Sequence, residues 1–236
     1  MQTNRKTVLI TGGAKRVGKM LVDYFLSEGY FVAVHFNSSS KEANALKEKY
    51  PNDIELFHSD FMNIANASGL IPKVNKLLGH LDVLINSASI YNPLPILETS
   101  NEDLLNEFQV NLFIPFILTR EYIRSQKKGI VINIADAKSL QNVKNMSAYL
   151  MSKKCLRSLT KLSAIESGKN IRINSISPGF LLPPEKTVFN STKLINASPL
   201  KIKGDRDTLI NTVEFILQNN YLNGQDIVID GGTYLL

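Results

Sequence analysis

The sequence contains one cysteine, no tryptophan and three histidines among its 236 residues. A lone cysteine, Cys155, excludes an internal disulfide framework and any zinc site built from several thiolates, which favours a reducing compartment. We expect Cys155 to be buried in the core rather than reactive. The histidines, His35, His58 and His80, form no pattern typical of a metal site or a catalytic triad, so each is interpreted as local packing or surface.

Long hydrophobic runs are also missing. The longest apolar stretch, Leu112 to Leu118, is interrupted by Pro115, whereas a membrane helix needs about 20 residues. The short apolar segment near the start runs directly into Thr-Gly-Gly, which leaves no room for the apolar region of a signal peptide. We therefore expect a cytoplasmic protein with no membrane partner.

The composition is that of an ordinary globular protein, with 44% hydrophobic and 20% charged residues. No low-complexity tract is present, so we exclude disorder and predict one domain spanning residues 1–236. The net charge is +6, but basic residues come mostly in ones and twos, such as Lys127-Lys128. This pattern indicates a solvated basic surface rather than a nucleic-acid partner.

Short apolar runs alternate with longer stretches of helical period, which is typical of βαβ units. The predicted strands are Lys6 to Thr11, Phe31 to Phe36, Ile54 to His58, Asp82 to Asn86, Ile130 to Ala135, Ile171 to Ile176 and Asp226 to Asp230. The predicted helices are Val17 to Glu28, Lys41 to Lys49, Ala67 to Leu78, Glu102 to Ser125, Ser147 to Ser167 and Asp205 to Gln218. The pattern predicts an α/β fold, a Rossmann doubly wound parallel sheet of about seven strands with helices on both faces.

One long irregular segment, residues 178–203, contains four prolines. A loop of this length in a compact domain usually covers a binding site. We therefore predict that residues 178–203 form a substrate-binding loop.

A glycine-rich loop, TGGAKRVG at residues 11–18, lies between the first predicted strand and the first predicted helix. In this position the free N–H groups of a helix N-terminus bind the pyrophosphate of a dinucleotide. Arg16 stands where a middle glycine often lies. The predicted cofactor contacts in this loop are Gly12, Lys15, Arg16, Val17 and Gly18.

The segment after the second predicted strand favours NADPH over NADH. NAD enzymes carry a carboxylate here that binds the ribose hydroxyls, but none lies between residues 28 and 42. We expect Arg16 to supply charge for a 2′-phosphate, and the predicted hydrogen-bonding residues are Asn37, Ser38 and Ser39. The alternative is that Arg16 extends into solvent and the serines cap the next helix. Asp60 and Phe61, after the third strand, are candidates for the adenine edge, with an ordinary loop cap as the alternative.

Tyr149 and Lys153 are four residues apart in a helical stretch, so their side chains share one face. A neighbouring ammonium favours the ionised phenol and thereby lowers its pKa, which provides usable acid chemistry near neutral pH. A pair of this kind also occurs by chance on many helices. Its position after the fifth predicted strand, at the carboxyl edge of the sheet, favours the catalytic interpretation.

The order of these motifs resembles the short-chain dehydrogenase/reductase family over nearly the whole chain. The motifs are TGGAKRVG at 11–18, Asn86-Ser87-Ala88-Ser89, Asn111, Tyr149-x-x-x-Lys153 and Pro178-Gly179. The resemblance implies that Tyr149 is the proton donor, that Lys153 binds the nicotinamide ribose and lowers the pKa of Tyr149, and that Asn111 supports a proton-relay water. It implies further cofactor contacts from Asn86, Ser87, Ala88, Pro178 and Gly179. It also implies a homotetramer in which the helices at 102–125 and 147–167 pair across a two-fold axis.

Asp136 departs from the family pattern, because it stands where the catalytic serine usually lies, thirteen residues before Tyr149. A carboxylate opposes the negative charge that develops on the oxygen of a ketone during reduction. Reduction of a C=N bond instead requires a proton on nitrogen, which an acid relaying through Tyr149 supplies. The alternative is a helix-cap or loop carboxylate in an inactive site.

Within the family, the combination of Asp136, Arg16, the His35-Phe36 pair and Tyr91 is similar to pteridine reductases. This resemblance implies a pterin ring between Tyr91 and the nicotinamide. The implied substrate contacts are Ser89, Tyr91, Asp136, Tyr149 and Pro184. Two positions depart from that pattern, since Ser87 replaces a usual asparagine and an arginine near Ser38 is missing. Tyr91 has an alternative interpretation as an aromatic residue at the rim.

The leading hypothesis is an NADPH-dependent reductase of a pterin, a dihydropterin or dihydrofolate. The first alternative is an NADPH-dependent carbonyl reductase acting on a ketone or a 3-oxoacyl thioester. The second is a non-catalytic NADP-binding sensor, which the presence of both Tyr149 and Lys153 disfavours. No metal is expected.

Overall fold

The computed structural model describes residues 4–183, 192, 195–196 and 198–236. The strands are β1 (Thr7–Ile10), β2 (Phe31–Phe36), β3 (Ile54–His58), β4 (Val83–Asn86), β5 (Gly129–Ile134), β6 (Ile171–Pro178) and β7 (Asp226–Ile229). The helices are α1 (Arg16–Ser27), α2 (Ser40–Lys49), α3 (Ile64–Leu78), α4 (Asn101–Phe108), α5 (Ile114–Ser125), α6 (Ser147–Glu166) and α7 (Arg206–Gln218). None of the helices in these ranges has both the length and the apolar character needed to span a bilayer.

The seven strands form one parallel sheet in the order β3-β2-β1-β4-β5-β6-β7. The strand order reverses between β1 and β4, and at such a point the carboxyl ends of the strands open into a crevice that binds ligands. The doubly wound parallel sheet predicted from the sequence is confirmed, with strand ends shifted by one or two residues.

The core lies in two layers on opposite faces of the sheet. Val8 and Ile10 of β1 pack in the layer that contains α1 and α7, whereas Leu9 packs in the layer that contains α3 and α5. Because successive side chains of a strand point to opposite faces, a strand buried on both sides has apolar residues at every position. This explains the continuous apolar run of β1.

The helix predicted over Glu102 to Ser125 is divided by a π-helical segment, Gln109–Phe113, which joins α4 to α5. Ser100 and Asp103 form a capping box at the start of α4, which explains why the helix begins at Asn101. π-Helical turns occur frequently at functional sites. This one carries Asn111.

Cys155 and Pro184 are two residues for which the sequence made specific predictions. Cys155 is exposed on α6, so its predicted core position was wrong; the residue lies outside the buried stripe of that helix. Pro184, in the predicted loop 178–203, lies outside the described residues.

Candidate active site

The glycine-rich loop between β1 and α1 is tightly packed against its surroundings. Gly12 adopts φ +64°, and a Cβ there would lie 3.0 Å from the Cα of Ala88. A Cβ on Gly18 would collide with the carbonyl of Gly12. Both positions therefore require glycine, and the loop is drawn close to the start of α1.

The N-terminus of α1 suits an anion. Among the described residues, no side chain caps this helix and no carboxylate lies in its first turn. The helix dipole and the first backbone N–H groups both favour negative charge at this end. The described residues of the predicted loop 11–18 thus fit a dinucleotide pyrophosphate.

His35 fixes the position of the glycine-rich loop. The Gly12 N–H donates to Nδ1 of His35 at 3.2 Å, and Nε2 of the same ring donates to the Ser59 carbonyl at 3.0 Å. The ring is 2% exposed and is stacked on Phe61, with 3.9 Å between ring centroids. Burial lowers the pKa of His35 to about 4. The neutral ring therefore connects β1, β2 and β3.

Arg16 and Lys15 point in different directions. Arg16 adopts φ +51°, and its Nη1 donates to the Pro183 carbonyl at 3.0 Å. Lys15 instead forms an ion pair with Glu42 of α2 at 3.0 Å, in a surface groove of about 560 Å³ between α1 and α2. Arg16 also lines this groove, so both cations of the loop lie on this side of α1, and the contact of Arg16 with a 2′-phosphate stays a prediction.

Asn37 and Asp60 are in contact at the ends of β2 and β3. Nδ2 of Asn37 donates to Oδ1 of Asp60 at 3.0 Å, and the same oxygen accepts the Met62 N–H at 2.9 Å. Ser39 precedes α2, although its side chain makes no capping hydrogen bond. Phe61 is 4% exposed, since its ring packs on His35. Of the two residues predicted to contact the adenine edge, Asp60 therefore has the accessible side chain, whereas Phe61 is buried.

A buried polar network supports the segment after β4. Asn86 pairs in register with Asn133 of β5, to which it donates at 2.8 Å, and Asn133 donates to Thr160 of α6 at 2.8 Å. The hydroxyl of Thr11 accepts the N–H groups of Ser87 and Ala88. Among the described residues, Oδ1 of Asn86 has no hydrogen-bond partner, which leaves a buried acceptor beside the predicted cofactor site.

Asp136 and Tyr149 are in direct contact. The Tyr149 hydroxyl donates to Oδ2 of Asp136 at 2.6 Å, while Oδ1 of Asp136 accepts the Lys138 N–H at 2.7 Å. Asp136 therefore also caps a short 3₁₀ turn, Ala137–Leu140. The helix-cap interpretation and the catalytic interpretation of Asp136 are compatible, because each uses a different oxygen.

The pKa of the Tyr149 phenol is raised well above its usual value, first by burial and then by the charge and hydrogen bond of Asp136. The net direction is thus opposite to the lowering expected from Lys153, because burial and Asp136 dominate. Lys153 Nζ lies 6.0 Å from the Tyr149 ring centroid, whereas the Asp136 carboxylate touches the hydroxyl. The phenol is a protonated hydrogen-bond donor.

Lys153 is 3% exposed, and its Nζ donates to the Ile134 carbonyl at the end of β5 at 3.0 Å. Burial lowers the pKa of Lys153 to about 8, against the opposing influence of Asp136 and Glu107. Buried ammonium groups normally require paired charge. The negative charges of Asp136 and Glu107 favour the charged ammonium, although they do not outweigh its burial.

Asn111 lies behind the catalytic residues and is completely buried. Its Oδ1 accepts the Ser89 hydroxyl and the Ile90 N–H, both at 2.9 Å. Its Nδ2 donates to the Ile90 carbonyl at 3.0 Å and to Glu107 at 2.7 Å. Asn111 thus holds the segment after β4 against α4 and α6.

Tyr91 stands at the mouth of the site. It is 50% exposed, and its ring meets that of Tyr149 edge-on with centroids 4.8 Å apart. Across the sheet edge, Pro178 ends β6, and the Gly179 N–H donates to the Ile229 carbonyl at 3.0 Å. A Cβ at Gly179 would lie 2.6 Å from Asp230, so this turn also requires glycine.

The order and geometry of these residues agree with a comparison to known families. The model of the short chain dehydrogenase family matches residues 6–193. The chain belongs to the short-chain dehydrogenase family. The resemblance found in the sequence is thereby confirmed, and the protein is an oxidoreductase of this family.

Individual members cover almost the whole chain. Pteridine reductase 1 of Leishmania tarentolae is 27% identical over 276 aligned positions, which cover 95% of this chain and 94% of its own. The crystal structure of FolM alternative dihydrofolate reductase 1 from Brucella suis in complex with NADP has a TM-score of 0.92 and 28% identity, and the match covers 100% of this chain and 97% of that one. The 3-oxoacyl-[acyl-carrier-protein] reductase of Bos taurus is 25% identical over 98% of both chains.

Sequence reasoning missed several residues of this short-chain dehydrogenase site. Thr11, Asn133 and Glu107 all form hydrogen bonds that position predicted site residues. Asn133 was recognisable as a polar residue in an otherwise apolar strand. In the described part of the chain, His, Cys, Asp and Glu side chains form no group of three or more that could hold a metal ion.

We predict that His35 makes folding stability depend on pH between about 6.5 and 4. In the unfolded chain His35 titrates near 6.5, whereas in the folded protein its pKa is about 4, so the unfolded state binds more protons in this window. Stability rises with pH across it, and about 3 kcal/mol is lost as the pH falls from 7 to below 4. Urea unfolding at a series of pH values measures this slope.

A His35→Gln variant is expected to lose that slope, because glutamine does not titrate. His80→Gln, at a side chain that is 42% exposed, serves as the control and should retain it. Equal slopes in wild type and His35→Gln would contradict the prediction.

Proposed function

We propose that this protein is an NADPH-dependent reductase of pterin or dihydropterin substrates, with dihydrofolate among the candidates. The hydrogen bond between Tyr149 and Asp136, at 2.6 Å, carries the proposal. It places a carboxyl group directly behind the proton donor, where it can relay protons to a C=N nitrogen but opposes the negative charge that develops on a ketone oxygen. The similarity to pteridine reductase 1 and to the FolM enzyme supports this choice.

The cofactor proposal rests on the glycine-rich loop and the open N-terminus of α1. NADP is bound in the Brucella suis relative, and NADPH supplies a hydride to the substrate carbon. In this chain the pyrophosphate would contact Gly12, Val17 and Gly18, and Lys15 would bind the 2′-phosphate. Lys153, with its buried ammonium, would bind the ribose next to the nicotinamide. The remaining proposed contacts are Arg16, Asn37, Ser38, Ser39, Asp60, Phe61, Asn86, Ser87, Ala88, Pro178 and Gly179.

Proton delivery follows from the raised pKa of Tyr149. A phenolate left at this position would be costly, because it would be buried beside the Asp136 carboxylate. The phenol therefore would give its proton to the substrate nitrogen, and its hydrogen bond with Asp136 would then reverse. Asp136 would take a proton from solvent and pass it to the phenolic oxygen, which restores the phenol. One hydride and one proton thus convert C=N to CH–NH.

The substrate would lie in the mouth between Tyr91 and Tyr149. The half-exposed Tyr91 ring offers a stacking surface for a flat heterocycle, and the Ser89 hydroxyl lies beside it. We propose that the chain is a single domain spanning 1–236 and that residues 178–203 contribute its substrate-binding loop, in which Pro184 lies outside the described residues. A cytoplasmic location remains a prediction.

A second candidate is carbonyl reduction of a ketone or a 3-oxoacyl thioester. The similarity to the Bos taurus 3-oxoacyl-[acyl-carrier-protein] reductase over 98% of both chains favours it. The Asp136 carboxylate opposes it, for the reason of charge given above. A non-catalytic sensor is disfavoured because Tyr149, Lys153 and Asp136 are assembled together.

Asp136→Ser separates the two reductase functions. With NADPH and 7,8-dihydrobiopterin, we expect kcat to fall by about 100-fold or more, which is the range for removal of a general acid. With a 3-oxoacyl thioester the same variant should be unchanged or improved. Loss of NADPH absorbance measures both.

The matched control is Asp207→Ser, which removes an exposed carboxylate on α7 and should leave turnover of both substrates unchanged. Wild-type protein that reduces the thioester and no dihydropterin would contradict the proposed function.

Lys15→Gln should impair the use of NADPH more than the use of NADH. Loss of a charged hydrogen bond to the 2′-phosphate costs about 1.5–3 kcal/mol, or roughly 10- to 150-fold in kcat/KM for NADPH. Lys19→Gln, one turn further along α1 and paired with Asp23, is the control. An equal loss with both cofactors would place the 2′-phosphate elsewhere.

We propose a homotetramer built on the α4–α5 and α6 surfaces, as the family resemblance implies. Large apolar side chains are exposed on these helices, among them Phe116 (49%), Leu162 (59%) and Ile165 (81%), and apolar patches of this kind mark protein interfaces. Light scattering is expected to give four times the chain mass. A monomer mass would contradict the assembly.

A further inference from the structure

Glu107 is a buried carboxylate directly behind the active site. It lies near the end of α4, one turn before Asn111, and is 1% exposed. Its Oε1 accepts the Asn92 N–H at 2.6 Å, and its Oε2 accepts Nδ2 of Asn111 at 2.7 Å. A carboxylate is costly to bury unless hydrogen bonds compensate it. Both oxygens are compensated by groups that belong to the site.

Both hydrogen bonds require Glu107 to act only as an acceptor. An ionised carboxylate has no donor hydrogen, whereas a protonated carboxyl or a glutamine would direct one toward a neighbouring N–H group. Because Glu107 holds Nδ2 of Asn111, the opposite atom, Oδ1, faces the Ser89 hydroxyl and the Ile90 N–H. Nδ2 also donates to the Ile90 carbonyl at 3.0 Å, so Glu107 and the Ile90 backbone together fix the orientation of the Asn111 amide against the substrate segment.

The second hydrogen bond fixes the residue next to Tyr91. Asn92 is held through its backbone by Glu107 and through its side chain by Asp103, at 2.9 Å. Asn92 thereby ties the backbone next to Tyr91 to α4, and this positions the Tyr91 ring that contacts Tyr149. One carboxylate supports both Ser89 and Tyr91, through two independent contacts.

The charges around Glu107 come from three elements. Burial raises its pKa, while the Asn92 N–H and the Lys153 ammonium of α6 favour the ionised form. Asp103, one turn earlier on α4, acts in the same direction as burial. Glu107 in turn acts on Tyr149 of α6 and on Tyr91 after β4.

We propose that ionised Glu107 is a positioning residue of the reductase reaction, acting through the Asn111 amide and the Asn92 backbone on the substrate-facing residues Ser89 and Tyr91. The inference rests on the proposed function, since it assigns the substrate to the mouth that these residues line. The positioning role of Glu107 does not depend on whether a C=N or a C=O bond receives the hydride.

Glu107→Gln tests this role with a change of one atom. We expect kcat with NADPH and 7,8-dihydrobiopterin to fall by about 10- to 100-fold. This is the range observed when a residue that orients a ligand-contacting side chain is lost, or when a reacting group is displaced by about 1 Å. The KM for NADPH should be unchanged, because Glu107 lies away from the glycine-rich loop.

Glu102→Gln is the matched control. It makes the same carboxylate-to-amide change on the same helix, at an exposed side chain in the first turn of α4. It should leave kcat unchanged. An unchanged kcat in Glu107→Gln, or equal losses of kcat in both variants, would overturn the proposal.

If Glu107→Gln does not fold, the pH profile of Glu107→Asp replaces it. Aspartate retains an acceptor-only carboxylate in a different position. The acid limb of the kcat–pH profile should therefore move relative to wild type, whereas Glu102→Gln should leave it in place. An acid limb of the kcat–pH profile that is the same in Glu107→Asp and wild type would overturn the proposal.

Failure of the proposed function has a separate signature. Wild type that reduces a 3-oxoacyl thioester but no dihydropterin would contradict that function alone. The Glu107 variants would then be compared on the thioester, with the same expected loss of kcat and the same control.

Discussion

A short hydrogen bond from the Tyr149 phenol to the Asp136 carboxylate joins α6 to the turn that follows β5. The second oxygen of Asp136 accepts the Lys138 N–H of that turn, so the backbone holds the carboxylate while the phenol uses its other side. Asp136 therefore cannot move away from Tyr149 without breaking a cap. Burial and this carboxylate together raise the pKa of the phenol, so Tyr149 is held as a protonated hydrogen-bond donor.

The polar residues behind this pair serve the same end. Asn86, Asn133 and Thr160 connect β4, β5 and α6 through consecutive hydrogen bonds, and His35 connects the glycine-rich loop to β2 and β3. Buried hydrogen-bond networks of this kind make a structure rigid. The nucleotide end and the catalytic end are thereby held on one sheet edge, where a hydride and a proton must reach adjacent atoms.

The sheet and the main motifs could be predicted from the sequence, because their signals are local. Apolar runs such as Phe31 to Phe36 define strands, and the spacing of Tyr149 and Lys153 places them on one helix face. Asp136 was identified because its distance from Tyr149 in sequence is characteristic. Its contact with Tyr149 agrees with the role assigned to it.

What could not be predicted depends on tertiary contacts. The direction of Arg16 depends on where Pro183 returns to the loop, and the pKa of Tyr149 depends on a carboxylate closer than the ammonium of Lys153. Glu107 reads as an ordinary charged residue of an amphipathic helix until the structure buries it. Cys155 illustrates the opposite error, since a small apolar residue can lie on an exposed helix face.

The central claim is that the Asp136–Tyr149 pair protonates a ring nitrogen. The most direct measurement is a crystal structure of the protein with NADP and a dihydropterin. We predict a pterin ring nitrogen within about 2.7–3.2 Å of the Tyr149 hydroxyl, with Asp136 still bound to that hydroxyl from the other side. A pterin that binds elsewhere, or that presents a carbonyl oxygen to Tyr149 instead, would contradict the account.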